Sequence, residues 1–410
     1  MQGSIDPEVS ICIPTFNRSQ HLDYLLKQLF EQSSSLDFEY EILISSNASS
    51  DNTNEVVEKW SSKLRIKYFE QEKNIGGWAN LAFLFKKAVA EFSVYVADDD
   101  FIELRELKKC LLEAKSRPDV GIVYTPWKLG IPYQKADTFF YTHPEKILIQ
   151  KGDFPSLLSS ILNYHIFPEI CILKTELFLE LQPLSKDSIV FSFLSIISEY
   201  LSQCDILFST KVFYTSITQH PAGSRTQDGN EQAKYMWDSY RGGLELLLGQ
   251  SLKLIQKDKE ISYREDIDKF IALRLSVAIR LRLLSDKSDK IETYFLACRL
   301  RGLGFERILP IPFIQIAILA AFEYMVQQIE GKQIATVILL GDFENGLTQI
   351  LRNEFKFTDI KILDEIPKSQ ENSIIFYRNE ELTNGMKNNS IDARGNYYFS
   401  EHILMRVKFK

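Results

Sequence analysis

Asp98, Asp99 and Asp100 follow directly on the apolar run Val94–Ala97. Adjacent carboxylates repel, and each raises the pKa of its neighbours unless a cation sits among them. Hard divalent cations such as Mg²⁺ or Mn²⁺ take oxygen ligands, and Mg²⁺ is commonly held by one or two carboxylates together with substrate phosphates. A strand that runs into DDD offers such ligands on a rigid support. If the extended geometry persists past Ala97, Asp98 and Asp100 share a face. The bland alternative for an acidic triplet is a solvated turn or a helix cap. A second chemical signal is Asn74-Ile75-Gly76-Gly77 at the start of a helical pattern. Glycines there let the backbone approach a ligand, and the free N–H groups of a helix start favour phosphate. Neither GxGxxG nor GxxxxGK[ST] is present at that loop.

Elements must hold these residues in place. Val9–Pro14 is a β-branched run closed by proline, followed by Leu22, Leu25, Leu26, Leu29 and Phe30 at helical spacing behind Ser19. Glu41–Ser45 reads as a second strand, Leu64–Phe69 as a third and Ser93–Ala97 as a fourth. Helical patterns carrying Val56, Val57 and Trp60, and then Trp78, Leu81, Phe85 and Ala88, lie between them. Strands alternating with helices of about ten to fifteen residues predict βαβ units and a mainly parallel sheet. In such sheets ligands bind beyond the carboxyl ends of the strands. The polar clusters all follow strand ends: TFNR after the first, SSNASSDN after the second, NIGG after the third and DDD after the fourth. Their convergence on one edge is what favours a site over scattered polar turns.

Further on, Glu169–Lys174 reads as a strand, residues around Phe191–Leu201 as a helix, and Ile206–Ile217 as one long strand ending near Gln219-His220-Pro221. Residues 230 to 330 read as helices dense in Leu, Ile and Arg. The last 80 or so return to strand, glycine turn and helix, a small α/β module. The expected division is an N-terminal α/β domain over 1–225, a helical region over 226–330 and the small C-terminal α/β module over 331–410.

Composition narrows the function. The chain has 410 residues, 45% hydrophobic, with a formal net charge of −7. No basic excess exists to neutralise phosphates, which argues against sequence-independent nucleic-acid binding. Its five cysteines are scattered without a CxxC pair, the pattern of free thiols in a reducing compartment. The N-terminus shows no basic and apolar leader, and no run of about 18 apolar residues predicts a membrane span. The expectation is a cytoplasmic protein. Ile308–Phe322, broken by Pro310, Pro312 and Gln315, reads as a buried helix, with membrane-surface contact as the alternative.

Val9–Arg18 (VSICIPTFNR), Ile42–Thr53 (ILISSNASSDNT), Asn74–Asn80 (NIGGWAN) and Val94–Asp100 (VYVADDD) resemble, in order and spacing, the family 2 glycosyltransferases of the GT-A fold. The resemblance is greatest to bacterial enzymes that build surface polysaccharides, close over residues 8–125 and loose over 126–225. It implies an α/β, Rossmann-like transferase that uses a nucleotide-sugar donor, Mg²⁺ or Mn²⁺, and a glycan or lipid-linked acceptor. Pro14, Thr15, Phe16, Asn17 and Arg18 would then cradle the nucleoside, with Ser46 and Asn47 in the loop for the base. Asn74, Gly76 and Asn80 would line the donor pocket, alongside Asp98 and Asp99. Asp98 and Asp100 would hold the cation as a DxD motif, and His220, a late histidine, would complete its shell. The competing reading of His220 is structural. Arg225 nearby is a candidate phosphate contact.

Two departures from the family pattern stand out. The second loop commonly reads SDNAS, its aspartate meeting the base; Ser46 stands there instead, which moves base recognition toward Asn47 or Asp51. The general base commonly lies in an ED pair opening a late helix, but Ser192-Phe193 occupies that place. Asp187 and Glu169 are the substitutes, Asp187 preferred. In the C-terminal module GDFENG is a poor dinucleotide fingerprint despite Asp364 beyond it, since Phe343 and Glu344 would obstruct a pyrophosphate. Arg280, Arg282, Arg299, Arg301 and Arg307 read as a solvated face or as a contact for a lipid diphosphate or anionic surface. Two other classes compete. A sugar nucleotidyltransferase would want a glycine-rich basic loop after the first strand, and Pro14–Arg18 lacks the glycines. A binding protein on a decayed transferase fold would explain Ser46 and the missing ED pair, but not the intact triplet.

Overall fold

The computed structural model describes residues 6–33, 38–131, 138–181, 190–223, 232–285 and 289–328, and then 336–341, 343, 348, 351–353, 355, 359–377, 390–400 and 404. The chain divides into two compact units, Met1–Gln227 with Asp238–Ile267, and Asp228–Trp237 with Asp268–Lys410.

In the first unit the chain runs β1 (Val9–Thr15), α1 (Ser19–Ser33), β2 (Tyr40–Ser46), α2 (Thr53–Ser61), β3 (Ile66–Glu70), α3 (Gly77–Lys87) and β4 (Phe92–Tyr95). There follow β5 (Phe101–Ile102), α4 (Leu104–Lys115), β6 (Val120–Tyr124), β7 (Lys128–Gly130), β8 (Ile147–Ile149) and α5 (Phe154–Tyr164). β9 (Cys171–Lys174), α6 (Thr175–Leu181), α7 (Ser192–Leu201), β10 (Asp205–Phe208) and β11 (Tyr214–Ile217) come next. An eight-stranded sheet has the order β3-β2-β1-β4-β9-β6-β10-β8. Its strands are parallel except β9, which is antiparallel to both β4 and β6, and β8, antiparallel to β10 at the edge. This is the α/β architecture the family resemblance implies.

The apolar patterning accounts for the layers. β1 is buried along almost its whole length, as a strand covered on both faces should be. α1 buries Leu22, Leu25, Leu26 and Leu29, and α4 buries Leu104, Leu107, Cys110, Leu111 and Ala114. Each such leucine contributes about 1.5–3 kcal/mol when fully withdrawn from water. β1 pairs with β2 on one side and β4 on the other, so the direction of winding reverses between β1 and β4. That reversal opens a crevice beyond the ends of both strands, where α/β sheets bind ligands.

Three expected strands differ from the sequence pattern: one ends early, one begins late and one is divided. β4 stops at Tyr95, and Asp98–Asp100 form a turn in which the Asp100 N–H donates to the Ala97 carbonyl at 3.2 Å. Strand alternation therefore does not set where these carboxylates point. Glu169 lies before β9 rather than in it. The single strand expected over Ile206–Ile217 is two, β10 and β11, in different sheets. Ser209 turns the chain out of the large sheet: its Oγ donates to Glu113 at 2.6 Å and accepts from the Lys211 N–H at 3.2 Å. β11 then enters a three-stranded sheet of order β5-β11-β7.

The second unit contains the helices Lys290–Gly302 and Phe313–Gln328 and a five-stranded sheet, β12 (Thr336–Leu340), β13 (Ile360–Leu363), β14 (Ser373–Tyr377), β15 (Ser390–Ile391) and β16 (Tyr397–Ser400). The order is β13-β12-β14-β16-β15, parallel except for β15. The helices precede a small sheet module in the C-terminal residues. Ile316–Phe322 are buried, with the Phe322 ring 4.6 Å from that of Phe376, so this part of the apolar run is a packed helix, whereas Ile308–Pro312 precede the helix and are not buried. Among the described residues no helix is long and apolar enough to cross a membrane.

Candidate active site

The turn after β1 and the loop after β2 are sewn together. The Asn47 N–H donates to the Thr15 carbonyl at 2.9 Å and the Asn17 N–H to Ser49 Oγ at 3.0 Å. Asn17 Oδ1 accepts from the Ser50 N–H at 2.7 Å. Asn17 has φ 53°, a left-handed conformation that asparagine tolerates better than most residues. Asp51 accepts from the Ser19 N–H at 2.8 Å at the start of α1, and from the Thr53 hydroxyl at 2.5 Å at the start of α2. Partial burial opposes its ionisation, but hydrogen bonds from Thr53 and Ser19 hold its pKa below the usual value. Asp51 is thus a clamp between two helix starts.

Ser46 is fully buried, and its Oγ accepts from the Ser49 N–H at 3.2 Å. Asn47 reaches the NIGG loop: its Nδ2 donates to Asn74 Oδ1 at 3.0 Å, and its Oδ1 accepts from the Ile75 N–H at 2.8 Å. Asn80, 1% exposed, is exchanged in hydrogen bonds with Ser45: it accepts from Ser45 Oγ at 2.6 Å and donates to the Ser45 carbonyl at 2.9 Å. Asn47, Asp51 and Asn80 are therefore engaged in fixing loops. Phe16 is 43% exposed beyond the end of β1. Gly76 has φ +88°, and a Cβ at Gly76 or Gly77 would meet no atom within 4 Å, so the start of α3 faces open space.

The acidic turn lies in the crevice, with Asp98, Asp99 and Asp100 only 3%, 7% and 8% exposed. Arg18, eighty residues upstream, supplies a cation: its Nη1 is 3.1 Å from Asp98 Oδ1 and 3.1 Å from Asp99 Oδ2. Asp100 is held differently. Its Oδ2 accepts from the Tyr214 hydroxyl at 2.8 Å and its Oδ1 from the Ile217 N–H at 2.9 Å. The Tyr214 oxygen in turn accepts from the Ala97 N–H at 3.2 Å, so β11 grips both ends of the turn. Burial raises the pKa of Asp98 to about 7; Arg18 opposes the rise and Asp99 adds to it.

Glu169 joins this cluster. Burial, and secondly the charge of Asp100, push its carboxyl up to about 7. Among the described residues no hydrogen-bond or ion-pair partner meets its side chain. Asp187, the other candidate base, lies outside the described residues, as does Arg225. At the start of α7, the place of the family's ED pair, Phe193 is packed among aromatics. Its ring centroid is 5.8 Å from Trp78, 6.2 Å from Tyr95 and 5.6 Å from Phe191.

His220 packs against α1, its ring 4.4 Å from His21 and 5.0 Å from Tyr24, and its Nδ1 accepts from the Ala222 N–H at 3.0 Å. Among the described residues no three His, Cys, Asp or Glu side chains form a ready-made metal shell. The structure thus brings Arg18, Asp98, Asp99, Asp100 and Glu169 together and gives His220 ring neighbours on α1. Sequence reasoning passed over Tyr214 and the aromatic wall of Trp78, Tyr95 and Phe193. Phe193 alone had a signal, its place at the expected ED pair.

The arginines of the second unit are largely absorbed by local partners. Arg282 is 1% exposed, forked onto Glu292 at 2.8 and 2.9 Å and stacked on Tyr235. Arg299 lies 4.6 Å from the Trp237 ring, and Arg301 lies 4.8 Å from that of Phe313 and 3.3 Å from Glu306. Phe343 is buried; Glu344 lies outside the described residues.

Residues 10–169 match the family model described as Glycosyl transferase family 2. The poly(ribitol-phosphate) beta-N-acetylglucosaminyltransferase TarS of Staphylococcus aureus is 35% identical over 105 residues, 24% of this chain and 17% of that protein. The abequosyltransferase RfbV of Salmonella typhimurium is 32% identical over 94 residues, 22% of this chain and 28% of that one. The matched stretch is thus under a third of either relative's length. The crystal structure of S. aureus TarS aligns with a TM-score of 0.47 at 18% identity, over 78% of this chain and 53% of that one. The matched residues 10–169 take in β1 to β8 and all the loops at the reversal point, and over that stretch the chain matches glycosyl transferase family 2; β9 and β10 of the same sheet lie beyond it.

Proposed function

We propose that the chain is a metal-dependent, inverting glycosyltransferase that moves a sugar from a nucleotide-sugar donor to a glycan or lipid-linked acceptor. The observation that carries this reading is the buried acidic turn beside Glu169, at the point where the winding of the sheet reverses. The relatives' names describe transfer of N-acetylglucosamine and abequose, so the donor sugar is left open here.

The acidic turn fits a divalent cation in its donor chemistry: Asp98, Asp99 and Asp100 are buried carboxylates, and carboxylates are hard oxygen ligands. Asp98 and Asp100 would hold the cation, with Tyr214 and the Ile217 N–H fixing the second carboxylate. A bound Mg²⁺ or Mn²⁺ supplies stabilisation of charge developing on the departing nucleoside diphosphate. The open start of α3 offers N–H groups to the same phosphates. Phe16 offers an exposed ring to the base, while the engaged side chains of Ser46, Asn47 and Asp51 keep its surrounding loop rigid.

Glu169 takes the proton from the acceptor hydroxyl. A base with a pKa near 7 is partly ionised at neutral pH yet basic enough to accept a proton in the transition state. Single displacement at the anomeric carbon needs one such base and no protein nucleophile, which is the reason for the inverting assignment. The aromatic wall of Trp78, Tyr95 and Phe193 gives the sugar rings apolar surface beside that base. Screening UDP-, GDP-, CDP- and dTDP-sugars for Mn²⁺-dependent hydrolysis identifies the donor. If no nucleoside diphosphate binds with Mn²⁺ and Asp100→Ala changes nothing, the chain is a binding protein on this fold.

A further inference from the structure

The acidic turn already contains a positive charge of its own. The Arg18 guanidinium bridges Asp98 and Asp99 at 3.1 Å to each, with side chains 19%, 4% and 10% exposed. Resting on the reading above that Asp98 helps hold the cation, we propose that Arg18 is an internal stand-in for the divalent ion. It occupies Asp98 in the empty enzyme and must swing away before the ion is held.

Two physical arguments support this. A guanidinium and a dication on the same oxygen repel strongly where water is scarce. Without Arg18, burying adjacent carboxylates with no counter-charge would cost several kcal/mol, so the empty site needs a cation of some kind. The exchange is built for a side chain alone. The backbone around Arg18 is fixed by Asn17 on Ser49 and Ser50, by Ser19 on Asp51, and by the Leu22 N–H on the Arg18 carbonyl at 3.0 Å. The long arm, with its several rotatable bonds, is the part that changes rotamer while this backbone holds.

A displaced guanidinium needs a new anion, and a diphosphate fits its fork geometry. Metal alone therefore binds against Arg18, whereas metal arriving with a nucleoside diphosphate gives Arg18 somewhere to go. Arg18 is thus a positioning residue that makes cation and diphosphate bind as a pair and keeps the enzyme from filling with metal alone.

The test is Mn²⁺ binding followed by the electron paramagnetic resonance of the free ion. It is run with and without UDP, GDP, CDP and dTDP. The Arg18→Met enzyme is expected to bind Mn²⁺ alone about tenfold more tightly than the wild type, about 1.4 kcal/mol. Any nucleotide that tightens Mn²⁺ binding to the wild type is expected to lose most of that effect in the variant. Arg18→Gln gives the same comparison should methionine compromise folding, which a thermal melt detects. Wild-type binding of Mn²⁺ with no tightening in either variant overturns the stand-in role and leaves the cation reading intact. No Mn²⁺ binding by any of these proteins, with or without nucleotide, overturns both.

Discussion

Replacing Glu169 by glutamine separates its chemistry from its effect on the fold. The carboxyl has an ordinary value of 4.5 and is raised to about 7, chiefly by burial and then by Asp100. Between about pH 4.5 and 7 the unfolded chain has lost this proton while the folded chain keeps it. The group's contribution to stability is therefore complete below about 4.5 and is lost as pH rises through about 7. The full shift corresponds to about 3 kcal/mol. The side chain is only half-buried, and solvent screening lowers the expected loss to about 1–2 kcal/mol. Glu169→Gln removes the titration, so urea unfolding should show the variant matching wild type at about pH 4.5 and exceeding it by about 1–2 kcal/mol at about pH 8. Turnover should move the other way: kcat falls by about 10²–10⁴, while affinity for the nucleoside diphosphate holds. The wild-type rate should climb through about pH 7 as the base ionises. Equal wild-type and variant stability at both pH values would refute the electrostatic account. Full turnover by the variant would place the base elsewhere, with Asp187 the next residue to change.

Other substitutions probe the supports. Asp51→Ala removes the acceptor of the Ser19 N–H at the start of α1 and of the Thr53 hydroxyl at the start of α2, and should cost about 1–2 kcal/mol in urea unfolding. Asn80→Ala removes the acceptor of the buried Ser45 hydroxyl and a donor to the Ser45 carbonyl, leaving only Gln71 Nε2, at 3.1 Å, on that hydroxyl. It should cost about 1–3 kcal/mol in the same assay, with a smaller effect on nucleotide affinity than a donor-contacting residue would show. Tyr214→Phe deletes the hydroxyl that holds Asp100; a loss of about 1 kcal/mol in stability is expected, together with weaker Mn²⁺ binding by isothermal calorimetry in the presence of nucleotide. Phe193→Ala should cost about 3–5 kcal/mol and raise KM for the acceptor more than for the donor.

The fold was legible where it follows apolar periodicity. Ile11, Ile13, Leu43 and Val94 announce buried strands, and the spacing of Leu22, Leu25, Leu26 and Leu29 announces the helix that covers them. The position of the polar loops then follows from parallel winding. What periodicity does not encode is which polar group meets which. The partner of Asp98 is Arg18, eighty residues away, and that of Asp100 is Tyr214, 114 residues away; nothing local marks either pair. Asn80 and Asp51 look like ligand contacts by residue type, yet their hydrogen bonds go to Ser45, Ser19 and Thr53. The break between β10 and β11 was hidden because Ser209 and Thr210 are compatible with a strand, and the turn depends on Glu113 from a distant helix.

Asp51 starts two helices, and the Asn17 side chain ties its turn to Ser50, so the segments after β1 and β2 move and vary together. This has a consequence for redesign. A transplanted Thr15–Ser19 segment brings one half of each of these two tethers and orphans the other half, as does a transplanted Ser45–Thr53 segment. On the proposed function, donor preference is therefore a property to be exchanged as a paired cassette, residues 15–19 with 45–53. Libraries that randomise either segment alone will be dominated by misfolded loops rather than by new specificities.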